Sequence, residues 1–320
     1  MFKKNKLAIS RSLWNMLYII CLLPTVTVYA QKNKPSDVFL QKMQIWEDSL
    51  KHLSVTIYNH TEDIERKNAN NLFVRTLVQA LKIPHSFDYR FDSLKTLSIK
   101  KSTDNKFRTI TWHLCEADGT FRYYGAIQFN TSELQLIPLL DMSDFMKSPM
   151  DSIVTHKQWY GARYYDIISL TDSKKNYYVL LGWKGSLGKT SKKVIEVLHF
   201  ENGKPIFGLP IFENKKRAKR VIFEFAQQAS MLLKYLPEKQ MIVFDHLVPP
   251  DSRSEGMYEV YVPDLSYDGY QILPSGKLKF LENLDLRNQS DISDTQFIDP
   301  SKSNHLPAKN KLAPMRGGGE

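Results

Sequence analysis

The sequence predicts a mainly β fold: an antiparallel meander of four-stranded units, propeller-like or sandwich, behind an N-terminal helical hairpin. Three observations predict it. Apolar residues recur at helical spacing up to Pro84 and at a period of two beyond it. Turn-forming pairs such as Asp118-Gly119 and Asn202-Gly203 separate the alternating runs, and the runs fall into sets of four. A chain of 320 residues with 42% apolar and 24% charged content has enough material for one large or two modest domains. That balance excludes a disordered chain, a coiled coil and a short disulfide scaffold.

Residues 1–30 read as a secretory signal peptide. Lys3, Lys4, Lys6 and Arg11 precede the apolar run Leu13–Leu23, and Val28-Tyr29-Ala30 places small residues at the −3 and −1 positions of a cut before Gln31. Losing those four basic residues lowers the formal charge from +10 to +6. The run ends at Pro24, short of the roughly 20 apolar residues that span a bilayer, and no later stretch approaches that length. The expectation is a periplasmic or secreted protein with no transmembrane span in the mature chain. Cys21 leaves with the signal, so Cys115 is the single remaining thiol and no internal disulfide forms.

Residues 31–84 form the expected hairpin. Phe39, Met43, Trp46, Leu50 and Leu53 lie on one helical face, with Ser36-Asp37 as N-cap. A second helix runs from Thr61, with Glu62 and Asp63 favoured by the dipole, through Leu72, Phe73, Leu77 and Leu81 until Pro84 stops it. The β-rich domain spans 85–290. Its first set of strands is Thr96–Lys101, Phe107–Cys115, Phe121–Asn130 and Leu134–Leu140. The second is Ala162–Leu170, Tyr177–Lys184, Lys193–Phe200 and Pro205–Phe212. The third is Arg220–Phe225, Ser230–Leu236, Met241–His246 and Tyr258–Val262, with Lys277–Leu286 as a further strand. Trp112, Trp183 and Tyr235 fall near the ends of the second strands, as in a degenerate repeat whose units bury their faces against one another. Residues 291–320, polar and ending Gly317-Gly318-Gly319-Glu320, read as a disordered tail.

Several motifs fail on spacing. Five residues intervene between Gly182 and Gly188 where a phosphate loop needs four, and the chain after Lys189-Thr190 alternates like a strand rather than opening a helix. Lys184-Gly185-Ser186-Leu187-Gly188 puts a lysine at the first glycine of a nucleophile elbow, which disfavours a serine hydrolase. No two of the eight histidines lie three to five residues apart, so the sequence predicts no metal site and no cofactor. The basic cluster Lys215–Arg220 reads as a solvated turn, with no nucleic-acid signature beside it.

Reactive side chains concentrate in Phe244-Asp245-His246 and Pro263–Tyr270. The catalytic candidates are His246, Asp264 and Asp268, as general base and carboxylates. Asp245 and His246 are neighbours on one strand and point to opposite faces, so Asp245 does not orient His246 in a regular strand. Aromatic pairs are frequent, and Trp159 and Tyr160 are the candidates for a binding platform on which a sugar ring or a peptide stacks. Packing across a sheet is the competing explanation for each pair.

The phrases Phe107–Trp112, Trp159–Tyr165, Tyr178–Trp183, Val221–Phe225 and Phe244-Asp245-His246 resemble an uncharacterised family of exported proteins from Bacteroidota, over roughly residues 35 to 290. The resemblance implies compartment and lineage and carries no activity. Proteins exported in that phylum are often O-glycosylated at Asp-Ser/Thr-apolar triplets, a pattern that Asp48-Ser49-Leu50, Asp92-Ser93-Leu94 and Asp151-Ser152-Ile153 fit. The leading expectation is an exported, envelope-associated binding or scaffold protein whose partner is an envelope protein, a peptide or a glycan. The alternative is a hydrolase of envelope polymers that uses carboxylate or histidine acid/base groups.

Overall fold

A computed structural model describes residues 36–171 and 176–286. The segments read as a signal peptide, 1–30, and as a disordered tail, 291–320, lie outside the described residues. Contacts divide the chain into residues 1–40, described only at the start of the first helix, and Gln41–Glu320, which holds the sheets and every site described below.

Two helices come first, α1 (Asp37–Asn59) and α2 (Asp63–Leu81). Ser36 caps α1, its Oγ accepting from the Phe39 amide at 3.2 Å. The buried face of α1 within the second unit is Met43, Glu47, Leu50, Ser54 and Ile57, while Trp46 and Leu53 are half-buried. A carboxylate can occupy that face because its oxygens are used: Glu47 accepts from the Ser93 amide at 2.6 Å and from the Tyr89 hydroxyl.

Three antiparallel sheets follow among the described residues, and these close no barrel. The first is a meander of β1 (Ser98–Lys101), β2 (Phe107–Cys115), β3 (Phe121–Phe129) and β4 (Leu136–Leu140). The second contains β5 (Val154–Thr155), β6 (Arg163–Thr171), β7 (Asn176–Lys184), β8 (Thr190–Glu201), β9 (Lys204–Phe207) and β10 (Val221–Ala226). Its order is β5-β9-β8-β7-β6, with β10 also paired to β8. Asn202 and Gly203, with φ of 49° and 74°, make the β8–β9 turn, which needs positive φ at both central positions. The third is the meander β11 (Leu233–Leu236), β12 (Met241–Val248), β13 (Val262–Ile272) and β14 (Leu278–Leu281).

The third set of strands expected from the sequence needs two corrections. Arg220–Phe225 belongs to the second sheet, because β8 is long enough to pair β9 along residues 198–201 and β10 along 190–195. Tyr258–Val260 is a short 3-10 turn, and the strand starts at Val262 and runs on to Ile272. Tyr235 consequently lies on an edge strand of its sheet, whereas Trp112 and Trp183 lie on strands one in from an edge.

The middle sheet is buried on both faces, which explains why β7 reads as a continuous apolar run. Tyr177, Val179, Leu181 and Trp183 join Ile242, Phe244, Tyr270 and Leu278 of the third sheet in one core cluster. Tyr178 and Leu180 join Phe107, Tyr123, Ile127 and Leu139 of the first sheet in another. The opposite face of the first sheet meets α2, where Trp112 donates to Asn70 and packs on Phe73.

Candidate functional site

His246 and Asp268 meet. Pairing of β12 with β13 is regular up to Asp245–Tyr267 and resumes at Leu247–Pro263, so Asp264, Leu265 and Ser266 all lie opposite His246. This bulge holds Leu265 at φ 72° and 88% exposed. The His246 ring lies on the same face as Asp268, with Nδ1 2.8 Å from Oδ2. Asp268 is buried, and its other oxygen accepts from the Asn283 amide at 3.1 Å. The hydrogen bond to Asp268 raises the His246 pKa above its ordinary value against a smaller effect of burial. With Nδ1 committed to the carboxylate, Nε2 is the nitrogen left for a substrate.

The nearby Asp245 and Asp264 are bonded elsewhere, and the charges of Asp264 and Glu282 also favour the protonated His246 ring. Asp245 accepts from the Leu232 amide at 2.6 Å on the far face, as the alternation of a strand requires. Asp264 closes a turn, taking the Ser266 amide at 3.0 Å and hydroxyl at 2.6 Å. That hydroxyl lowers the Asp264 pKa below the usual carboxylate value.

Trp159 and Tyr160 do not form a platform. Trp159 is 0% exposed and its Nε1 donates to the Tyr164 hydroxyl at 2.7 Å inside the cluster that joins the first and second sheets. Tyr160 is 4% exposed. A ring with no free face has nothing to stack on a sugar.

Aromatic rings do line a cleft elsewhere, which reading along the chain missed. At one end of the first two sheets, Phe107, Phe129, Tyr178 and Phe200 line a space of about 550 Å³ together with Lys106, Asn130, Asn176 and His199. Phe200 is the hub, with ring centroids 5.2 Å from Phe107, 5.2 Å from Phe129 and 6.0 Å from Tyr178. Phe107 and Tyr178 are buried and pack edge-on at 4.7 Å, while Phe129 and Phe200 remain partly exposed. Tyr178 is fixed by its bond to Asp104 Oδ2 at 2.7 Å. His199 bonds Glu201 through Nε2 at 3.2 Å, and its buried Nδ1 has no protein partner. The advance signal was Phe or Tyr within two residues of the end of four strands, which has meaning only once the strand ends are brought together.

A second, polar groove of about 710 Å³ lies between α2 and the β2–β3 hairpin, lined by Lys67, Asn71, Glu116, Arg122, Tyr124 and Asp144 among others. Lys67 bridges Asp63 and Glu116 at 2.7 Å each, so much of the charge there is already paired.

No known protein family matches the chain, and no curated protein matches it significantly. Function must therefore be read from these sites. Among the described residues no group of three or more His, Cys, Asp or Glu side chains is placed to hold a metal ion, and no helix is long and apolar enough to cross a membrane.

Proposed function

We propose that this chain is an exported, envelope-associated protein that binds a glycan in the cleft formed by Phe107, Phe129, Tyr178 and Phe200. The observation that carries this reading is the combination in one concave space of two partly exposed rings, held in place by two buried ones, with amides among the lining residues. Apolar walls with a few convergent polar groups are the usual make-up of a small-ligand site. A sugar offers the matching surface, an apolar C–H face for the rings and hydroxyls for Asn130 and Asn176. Export rests on the character of residues 1–30. Affinity electrophoresis through gels that contain envelope polysaccharides tests the reading. The wild type should be retarded by at least one of them, and Phe200→Ala should migrate freely while remaining folded. Equal retardation of the two would remove the cleft from consideration.

The hydrolase reading is supported by the His246–Asp268 pair, whose geometry is that of an oriented general base. Release of reducing ends from a bound polysaccharide, lost in His246→Ala, would favour it over binding alone.

A further inference from the structure

Three separate elements converge on the amine of Lys184, at the end of β7. Its Nζ donates to Ser143 Oγ at 3.0 Å, lies 3.8 Å from Asp141 Oδ2, and stands 4.3 Å from the centre of the Tyr123 ring and 5.3 Å from that of Tyr160. The Lys184 side chain is 14% exposed and that of Asp141 6%. Ser143 is partly exposed, and the next residue, Asp144, lines the polar groove. Asp141 is held by the Tyr123 amide at 2.9 Å and the Ser143 amide at 3.0 Å. It fits only because residue 161 is glycine, with φ +72°: a Cβ there would lie 2.5 Å from the carboxylate.

We propose that Ser143 and Lys184 form a serine–lysine dyad that hydrolyses a carboxylic ester or amide by acyl transfer, at a place separate from both the aromatic cleft and His246. An Asx turn alone explains why Ser143 bonds Asp141, and exposed Asp264 and Ser266 make the same turn with no lysine. It does not explain an amine from 41 residues further along the chain, enclosed against the hydroxyl.

The chemistry balances within these groups. The neutral Lys184 amine takes the Ser143 hydroxyl proton as Oγ bonds to the substrate carbonyl carbon and the π pair moves onto the carbonyl oxygen. Collapse re-forms the carbonyl and breaks the bond to the leaving alcohol or amine, which takes the proton back from the Lys184 ammonium. Water then repeats the two steps on the acyl-serine and releases the acid. At rest the hydroxyl donates to Asp141 Oδ1 at 2.7 Å, and rotation about its C–O bond redirects it to the lysine. Burial lowers the Lys184 pKa to about 8, helped by Lys192 and opposed by Asp141 and Asp144, so a useful fraction is neutral just above neutral pH.

The test uses the full chain and a fluorophosphonate probe, which exchanges its fluoride for a serine oxygen. Peptide mass spectrometry should place one equivalent on Ser143, with a labelling rate that rises between pH 6 and 9 around a midpoint near 8. Ser143→Ala should take no label, and Lys184→Met should label at least ten times more slowly, since a general base contributes roughly 10²–10⁴-fold. No label on Ser143 over this range would overturn the proposal, as would a folded Lys184→Met that reacts at the wild-type rate. If Lys184→Met fails to fold, the wild-type pH profile decides: a rate independent of pH overturns the dyad.

Discussion

Arg220 and Glu196 form an ion pair in which neither side chain is exposed, with Nε 2.8 Å from one carboxylate oxygen and 3.0 Å from the other. Glu196 lies in the middle of β8 and Arg220 stands directly before β10, so the pair fixes where β10 meets the second sheet. The guanidinium also donates to the carbonyls of Pro149 and Ser152, tying down the segment between β4 and β5. Burial pushes the Glu196 pKa up and the arginine opposes that.

Removing one partner strands a charge in the interior. Arg220→Ala should therefore cost about 3–5 kcal/mol in urea denaturation, and Glu196→Gln should cost a comparable amount because it leaves the guanidinium charged beside a neutral amide. A loss below about 1 kcal/mol for Arg220→Ala would mean that water reaches the pair.

Trp112 and Trp183 are buried at 4% and 2% exposure. Trp112 is stacked on Tyr124 and donates to Asn70 Oδ1 at 2.8 Å. Trp183 belongs to the core between the second and third sheets, and its ring reaches His113 and Phe121 of the first. Either change to Ala should cost about 3–5 kcal/mol. Changes to Phe keep part of the packing at both positions, and Trp112→Phe also costs Asn70 its donor. Thermal melts of the four variants give the ranking, and native-like melting of Trp112→Ala would refute its structural role.

Two histidines should titrate in opposite directions. His113 is enclosed by Tyr58, Phe121, Tyr123 and Trp183, and burial first, then the charge of Arg163, lowers its pKa well below the ordinary value. A depressed histidine binds protons more readily unfolded, so this contribution destabilises the fold as pH falls below about 6.5. His113→Phe should flatten the fall in melting temperature between pH 7 and 5. His246 is raised by Asp268, so its contribution is complete below about 6.5 and is lost as pH rises through the folded pKa. NMR titration should show its midpoint above 6.5 and Asp268→Asn should move it down. An unmoved midpoint would show that the hydrogen bond does not form in solution.

Local order was legible and remote order was not. Phe107–Cys115 could be bounded to the residue because alternation fills it and Asp118-Gly119 closes the turn after it. Arg220–Phe225 was placed in the wrong sheet because its alternation is the same whichever neighbour it pairs with, and only the length of β8 decides. His246 and Asp268 could be picked by residue type, but the bulge that puts them on one face has no signature in the chain. Trp159 could not be told from an exposed ring, since burial depends on Tyr164 and the first sheet. Ser143 and Lys184 gave no signal at all, because the relevant spacing is spatial.

Leu265 pays a local cost for its place in the bulge. A leucine at positive φ is disfavoured by roughly 1–2 kcal/mol, and 88% exposure returns little packing. Leu265→Gly should therefore raise the melting temperature or leave it unchanged, with the Asp264–Ser266 turn intact. A fall of several degrees would reveal contacts made by the leucine in solution.

The central claim is that the cleft of Phe107, Phe129, Tyr178 and Phe200 binds sugar. No tryptophan lines it, so amide NMR is the direct probe. Titration of the labelled full chain with oligosaccharides cut from the polysaccharide that retards it should shift Asn130, Asn176, Phe129 and Phe200 together, with saturation. Shifts confined to Arg122 and Tyr124 in the polar groove, or no saturable shift at all, would contradict the account.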